Sequence, residues 1–329
     1  VTATLAVFFL GGTIGMAGHR DGVVRRLSGE TLLAAVPQLA GVDATIRPHD
    51  FRAAPSACLS FADILEVAAA AETAVAEGAT GVVVVQGTDT IEETSFLIDL
   101  VWPREQPVVV TGAMRNPGLP GADGPANLLA AVQVAGDPRF AGLGALVVLN
   151  DQVHAARRVR KMHSSNPAAF VSPDTGPLGQ LVEGVPVPLA QPSARRCLPR
   201  PDGVADVRVA LLTVALDDDG GLLAGLADRY AGLVVAGFGV GHTPAALAEP
   251  LGDLAGRIPV VLASRIGAGS VYRHTYGFAG SETDLLGRGL IPAGFLDAYK
   301  SRVLLRLLLA GGADRATAAE VFAAIGGAM

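Results

Sequence analysis

Two threonines, one aspartate and one lysine supply the chemistry that this sequence makes conspicuous. Thr13 closes the run LAVFFLGGT at residues 5–13, and Thr88 with Asp89 closes VVVVQGTD at residues 82–89. Each threonine follows a glycine that ends an apolar stretch. Each hydroxyl is therefore expected just beyond a strand's carboxyl end, where open α/β sheets bind ligands. A threonine hydroxyl is a poor nucleophile until a base takes its proton, and no histidine adjoins either motif. Asp89 and Lys161 offer another route: the carboxylate sets the lysine's proton affinity, and the lysine serves as the base. Amides of the neighbouring glycines would stabilise an oxyanion, a device worth about 3–4 kcal/mol per good donor. This set suits attack on an amide or ester carbonyl. Both threonines also suit plain turn or helix-capping roles. Lys161 sits in a basic run, Arg157, Arg158, Arg160 and Lys161, that reads as a solvated surface. Only a fold can bring Lys161 to Asp89.

The elements around these residues must do the positioning. Four consecutive valines, 82–85, suit a strand buried on both faces, as a parallel sheet under helices requires. Further strands are expected at 5–10, 44–47, 107–111 and 144–150. Helices are expected at 30–39, interrupted by Pro37, at 124–135, and at 61–78, opened by Ser60 with Asp63 three residues on. Two overlapping capping signals, Asp89 with Glu92 and Thr90 with Glu93, predict a helix amino terminus suited to a substrate carboxylate. The loop 54–57 brings Ser56 to the same sheet edge. Residues 17–29 are polar and glycine-rich without hydrophobic period, so they read as a lid over the strand end or as a plain surface connection.

Strand and helix alternate to residue 150, which signals a mainly parallel sheet with right-handed crossovers. Residues 151–180 break the rhythm and predict a hairpin folded back over the sheet. The stretch 186–203, rich in proline and arginine, is the best linker. Beyond it, strands are expected at 209–216, 232–237 and 258–264, with a helix capped by Thr243 and helices at 295–310 and 316–325. The expected fold is α/β with two domains. A larger N-terminal, mainly parallel sheet flanked by helices spans 1–188, a linker 189–207, and a smaller C-terminal parallel α/β domain 208–329.

Composition narrows the classes. Net charge is −6 across 329 residues, which argues against a partner whose affinity rests on phosphate contacts, so no nucleic acid is expected. Cys58 and Cys197 make no ligand spacing, and the six histidines form neither HxxxH nor HExxH, so no metal is expected. The opening apolar run is too short to span a membrane, and cytoplasmic is the default location. Gly237, Gly239 and Gly241 form GxGxG after a strand, but the spacing is wrong for a dinucleotide fingerprint and no cofactor is expected.

At this point the residues resemble a known family, the bacterial-type L-asparaginases and glutaminase-asparaginases. The resemblance rests on GGTIG around Thr13, QGTDTIEET at 86–94, GAMRNP at 112–117, GADGPANL at 121–128 and RKMHSS around Lys161. It extends into ASRIGAG and KSRVLL in the carboxyl-terminal part and so covers nearly the whole chain. It implies an amidohydrolase that cleaves L-asparagine to L-aspartate and ammonia, with a weaker glutaminase activity. Thr13 is implied as the covalent nucleophile, Thr88, Asp89 and Lys161 as a second triad. Ser56, Gly87 and Asp89 are implied as holders of the substrate's amino and carboxyl groups, with Gly12 beside the substrate and Ala113 near its side-chain amide. A cofactor-free homotetramer, a dimer of dimers with active sites between subunits, is implied as well. The sequence departs from the family pattern in places. Residues 14–29 contain no lid tyrosine, Ala57 stands where a glutamine is usual, and His242 takes the place of a partner-subunit asparagine. The usual partner-subunit glutamate has Tyr272, Tyr276 and Glu282 as possible substitutes. These departures leave open another amide substrate, such as a D-amino-acid amide or peptide-linked asparagine, or a non-catalytic binder of aspartate or asparagine.

Overall fold

The structure is a computed structural model and describes residues 3–12, 14, 16–17, 25–26, 28–192, 195–202 and 204–327. The chain divides into two compact units, Val1–Cys197 and Leu198–Met329.

In the first unit, in chain order, the elements begin with β1 (Ala3–Phe9), the short pair β2 (Met16–Ala17) and β3 (Arg25–Arg26), α1 (Gly29–Ala34), β4 (Ala44–Asp50) and α2 (Phe61–Ala76). Next come β5 (Gly81–Val85), α3 (Ile91–Val101), β6 (Val108–Thr111), α4 (Gly124–Gly136) and β7 (Ala145–Leu149). Five short strands finish it: β8 (Gln152–Ala155), β9 (Arg160–Lys161), β10 (Phe170–Val171), β11 (Gly179–Val182) and β12 (Val185–Pro188). An eight-stranded sheet runs in the order β12-β11-β8-β7-β6-β5-β1-β4. Strands β4, β1, β5, β6 and β7 are mutually parallel, while β8, β11 and β12 continue the edge antiparallel.

The valines of β5 are fully buried, as expected of a strand covered on both sides. Each contributes about 1.5–3 kcal/mol relative to remaining in water. Leu5, Val7, Val83, Val85 and Val109 form one cluster with Leu32 and Val36 near α1 and Leu128 and Val132 of α4. Helices α2 and α3 pack together and against β1, β5, β6 and β7. Ser60 and Asp63 form the predicted capping box of α2, each side chain bonding the other residue's backbone N–H.

Residues 151–180 contain the expected hairpin but also extend the main sheet. Asn150 and Asp151 adopt left-handed conformations, φ 51° and 57°, and fold β8 tightly onto β7. Strands β8 and β11 thus extend the sheet in its own plane, while the residues between them form an antiparallel hairpin, β9 with β10, in a separate two-stranded sheet. Val185–Pro188 is the edge strand β12, so residues 186–188 of the proline-rich stretch belong to the sheet, which ends where the expected linker 189–207 begins. Proline is tolerated there because an edge strand can forgo a ladder donor.

The second unit holds β13 (Val209–Thr213), β14 (Gly232–Gly237), β15 (Val260–Ser264) and β16 (Ile291–Pro292) in one parallel four-stranded sheet, in that order. Helix α5 (Ala245–Arg257) packs on β15, with α6 (Glu282–Gly287) against it. Helix α7 (Ala298–Ala310) covers β13, β14 and β15, and α8 (Arg315–Gly326) lies on β16. Thr243 does not cap α5: Pro244 occupies the N-cap, and the Thr243 hydroxyl donates to the Pro244 carbonyl. Helix α7 starts three residues later than expected because the Asp297 carboxylate captures the amides of Tyr299 and Lys300.

Candidate active site

The strand order creates the crevice. β1 is flanked by β4 on one side and β5 on the other, and β6 and β7 continue beyond β5. The connections leaving β1 and β5 therefore run in opposite directions, and the space beyond their carboxyl ends is a topological switch point. Gly12 and Gly87 lie there and meet backbone to backbone. A Cβ on Gly12, whose φ is +96°, would stand 2.1 Å from the Gly87 nitrogen. A Cβ on Gly87 would in turn stand 2.7 Å from Ser56 Oγ. These approaches draw the loops after β1, β4 and β5 into one cluster.

Lys161 completes it from 73 residues away, Nζ donating to Thr88 Oγ1 at 2.9 Å. The same Nζ donates to Asp89 Oδ1 at 3.3 Å. The Lys161 side chain is 15% exposed and that of Asp89 67%. A largely covered cation is thus paired with a carboxylate that faces the open side. The frame behind is polar and connected. Asp89 N donates to Ser56 Oγ at 3.2 Å, and Thr90 Oγ1 donates to the Ser56 carbonyl at 3.2 Å. Gln86 Nε2 donates to Thr90 Oγ1 and to the Gly87 carbonyl.

Ala113 is buried on the neighbouring loop. A Cβ on Gly112, the residue before it, would lie 3.3 Å from Thr88 Cγ2. That loop is fixed by groups that the reading of the sequence did not single out. Asp123 accepts from Met114 N at 3.0 Å and Arg115 N at 2.9 Å. Asn127 Nδ2 donates to the Gly112 carbonyl at 2.9 Å, while its Oδ1 accepts from Asn150 N at 2.9 Å. The available signal was Asn127 itself, an amide among the buried apolar residues of α4.

The structure brings together Gly12, Ser56, Gly87, Thr88, Asp89, Ala113 and Lys161. Thr13 lies outside the described residues. Its neighbours on either side are placed: Gly12 against Gly87, and Ile14 buried, where a Cβ on Gly124 would come within 2.9 Å of Ile14 Cγ1.

Two expectations are corrected here. Thr88–Thr90 form a 3-10 turn, and Thr90 occupies the α3 N-cap without a side-chain cap. Local capping loses to tertiary partners, because Lys161 draws the Asp89 carboxylate and Ser56 takes the Thr90 hydroxyl. The basic run is not a solvated face either. Arg157 is buried and faces Asp99 at 3.9 Å, and Arg160 faces Glu92 at 3.1 Å.

The family model described as "Asparaginase, N-terminal" matches residues 4–194, and "Glutaminase/Asparaginase C-terminal domain" matches residues 208–322. The chain belongs to the asparaginase family. A "Probable L-asparaginase" of Deinococcus radiodurans is 39% identical over 321 residues, covering 97% of this chain and 96% of that protein. An "L-asparaginase" of Bacillus licheniformis is 32% identical, covering 93% and 95%. A "Probable Cytoplasmic L-asparaginase" from Campylobacter jejuni superposes with a TM-score of 0.86 at 32% identity, covering 97% of this chain and 99% of that one.

In this asparaginase-family chain, the second unit builds its own polar centre around Glu282, which is fully buried. Glu282 Oε1 accepts from Thr275 N at 2.9 Å and Tyr276 N at 2.8 Å, and Oε2 lies 3.1 Å from His242 Nε2. Burial tends to raise its pKa, but the Tyr276 and Thr275 amides and the His242 contact outweigh burial and hold it below the usual carboxylate range. Of the three possible substitutes for the family's partner-subunit glutamate, Glu282 is therefore committed to its own loop. Tyr272 and Tyr276 remain exposed, and His242 packs edge-on against the Tyr276 and Phe278 rings.

Proposed function

We propose that this asparaginase-family enzyme hydrolyses L-asparagine to L-aspartate and ammonia through an acyl-enzyme on Thr13, with L-glutamine a weaker substrate. The observation that carries this reading is Lys161 Nζ held between the Thr88 hydroxyl and the Asp89 carboxylate at the switch point. In the first half-reaction the Thr13 oxygen bonds to the side-chain carbonyl carbon. The C–N bond then breaks, and ammonia leaves with the hydroxyl proton. In the second, water adds to the ester, the acyl–oxygen bond breaks, and Thr13 regains its proton. Thr88, Asp89 and Lys161 handle the protons in both halves. Ser56, Gly87 and Asp89 hold the substrate's amino and carboxyl groups, Gly12 lies beside it, and Ala113 faces its amide.

The decisive experiment measures ammonia from L-asparagine, L-glutamine, their D-forms and a peptide-linked asparagine. Thr13→Ala and Thr88→Val should each remove turnover, and wild-type rates in either variant would overturn the reading. Brief exposure to substrate should add one aspartyl group at Thr13 by mass spectrometry. Ala57 is exposed where the family usually has glutamine, which favours a second reading with the same chemistry on another amide. A clear preference within the panel for a non-asparagine amide would select it.

A homotetramer is the assembly this reading carries, and exposed Tyr272, Tyr276 and Phe278 in the second unit support burial against another subunit. Light scattering at the monomer mass would refute it. Cytoplasmic residence is the proposed location, in line with the name of the Campylobacter protein; a Haemophilus influenzae relative is called periplasmic. Cell fractionation decides between them. Among the described residues no helix is long and apolar enough to cross a membrane.

A further inference from the structure

Three cations of residues 157–161 face three anions of the segment that starts at Asp89, in reversed order. Lys161 meets Asp89 at 3.3 Å, Arg160 meets Glu92 at 3.1 Å and Arg157 meets Asp99 at 3.9 Å. Asp89 precedes α3, Glu92 is in its first turn and Asp99 is near its end, so the basic run lies antiparallel along one helix. This matters because β9, which carries Lys161, pairs with β10 in a two-stranded sheet separate from the main one. The ladder that places Thr88 therefore does not place Lys161. An amine at the end of four rotatable bonds keeps a 2.9 Å contact only when its backbone is fixed close by.

The neighbouring pair supplies that fixing. The Arg160 side chain is 17% exposed and that of Glu92 10%. A mostly buried ion pair gives little net stability but selects one arrangement over its alternatives. Arginine suits the task because its planar fork resists re-aiming, which a lysine would not.

We propose, on the basis of the reading above, that Glu92 and Arg160 are positioning residues for the reaction. They hold β9 in register with the 88–90 turn, so that Lys161 Nζ remains within proton-transfer distance of Thr88 Oγ1. They act through Lys161 and hold no part of the substrate.

The test compares kcat and KM for L-asparagine, and the melting transition, in full-length Glu92→Gln, Arg160→Met, Arg160→Lys and the Glu92→Gln/Arg160→Met double variant. Each charge-removing single variant should lower kcat about tenfold or more, since misplacing a reacting group by about 1 Å can cost about a hundredfold. KM should stay within about twofold, because Ser56, Gly87 and Asp89 are untouched. The double variant should fall no further than the worse single one, as expected of a coupled pair. Arg160→Lys should recover part of the loss. A lowered melting temperature with wild-type kcat in the folded fraction would overturn the proposal. Should a single variant fail to fold, the double variant leaves neither member of the pair as an unmatched buried charge and decides in its place: reduced kcat supports the proposal and wild-type kcat overturns it. Thr88→Val run alongside separates the two levels. Turnover surviving in Thr88→Val removes the site reading itself, whereas an inactive Thr88→Val beside fully active pair variants removes only the positioning role.

Discussion

The polar clusters beyond β5 and beyond β14 both lie past a central parallel strand, yet they use a carboxylate in opposite ways: Asp89 stands on the loop after β5 itself, whereas Glu282 opens α6, after β15, and reaches His242 on the loop after β14. Asp89 leaves most of its side chain open and shares one cation with a threonine hydroxyl. Glu282 is sealed, with one oxygen taken by two backbone amides and the other by His242. A carboxylate that must exchange partners during a reaction has to be reachable. One that organises a loop is better satisfied and closed off. Accessibility and unsaturated hydrogen-bonding capacity, more than position after a strand, separate Asp89 from Glu282.

The contrast can be broken by measurement. The largest effect is expected at the open cluster: Lys161→Met should lower kcat about 10³–10⁴-fold. Asp89→Asn should likewise cost activity while changing unfolding free energy by no more than about 1 kcal/mol. A loss below tenfold for Lys161→Met would mean that the β5 cluster is not the working one. Glu282→Ala should behave in reverse, destabilising the second unit by about 3–5 kcal/mol in urea titration, because the Thr275 and Tyr276 amides and His242 lose their acceptor.

Acid extends the comparison to another buried group. His154 is sealed in β8, with Nδ1 3.1 Å from Ser172 Oγ, and burial lowers its pKa from 6.5 to about 4. Its folded-state value lies below its unfolded one, so its contribution is complete above pH 6.5 and is lost as pH falls toward about 4, amounting to about 3 kcal/mol. Glu282 is also depressed and is likewise lost in acid, but starting from the lower carboxylate range. The first unit should therefore weaken before the second as pH falls. His154→Gln should flatten stability between pH 6.5 and 4, and an unchanged acid profile would refute the assignment. The smallest effect is expected at the α2 cap. Ser60→Ala should cost about 1 kcal/mol with kcat unchanged, since the box lies outside the cluster.

Local signals carried much of this molecule. Four valines announce β5, and Ser60 with Asp63 announces α2, because burial on both faces and a reciprocal cap are written within a few residues. The grouping of Gly12, Ser56, Gly87 and Lys161 is not written locally. It follows from strand order and from approaches across the chain, and resemblance to a family supplied it before geometry did. Where local and distant partners compete, the local reading failed. Asp89 and Thr90 look like caps but serve Lys161 and Ser56. The basic run misled for the same reason, since its acids lie on a helix some sixty residues earlier in sequence. Thr243 fails as a cap for a local reason instead, since Pro244 takes the N-cap and the Thr243 hydroxyl donates to its carbonyl. Asn150 and Asp151, by contrast, are turn-forming types whose left-handed hairpin was open to being read.

The contact between Gly12 and Gly87 has a consequence at the level of the gene. Every amino-acid replacement reachable from a glycine codon by one base change carries a Cβ, and at position 12 that carbon would stand 2.1 Å from the Gly87 nitrogen. Neither partner can be relieved by changing the other, because Gly87 is itself pressed against Ser56. In a saturation library selected for growth on asparagine as nitrogen source, codons 12 and 87 should return as glycine throughout. Diversity aimed at altering the substrate would then have to enter through neighbouring positions such as 57, whose side chain meets solvent.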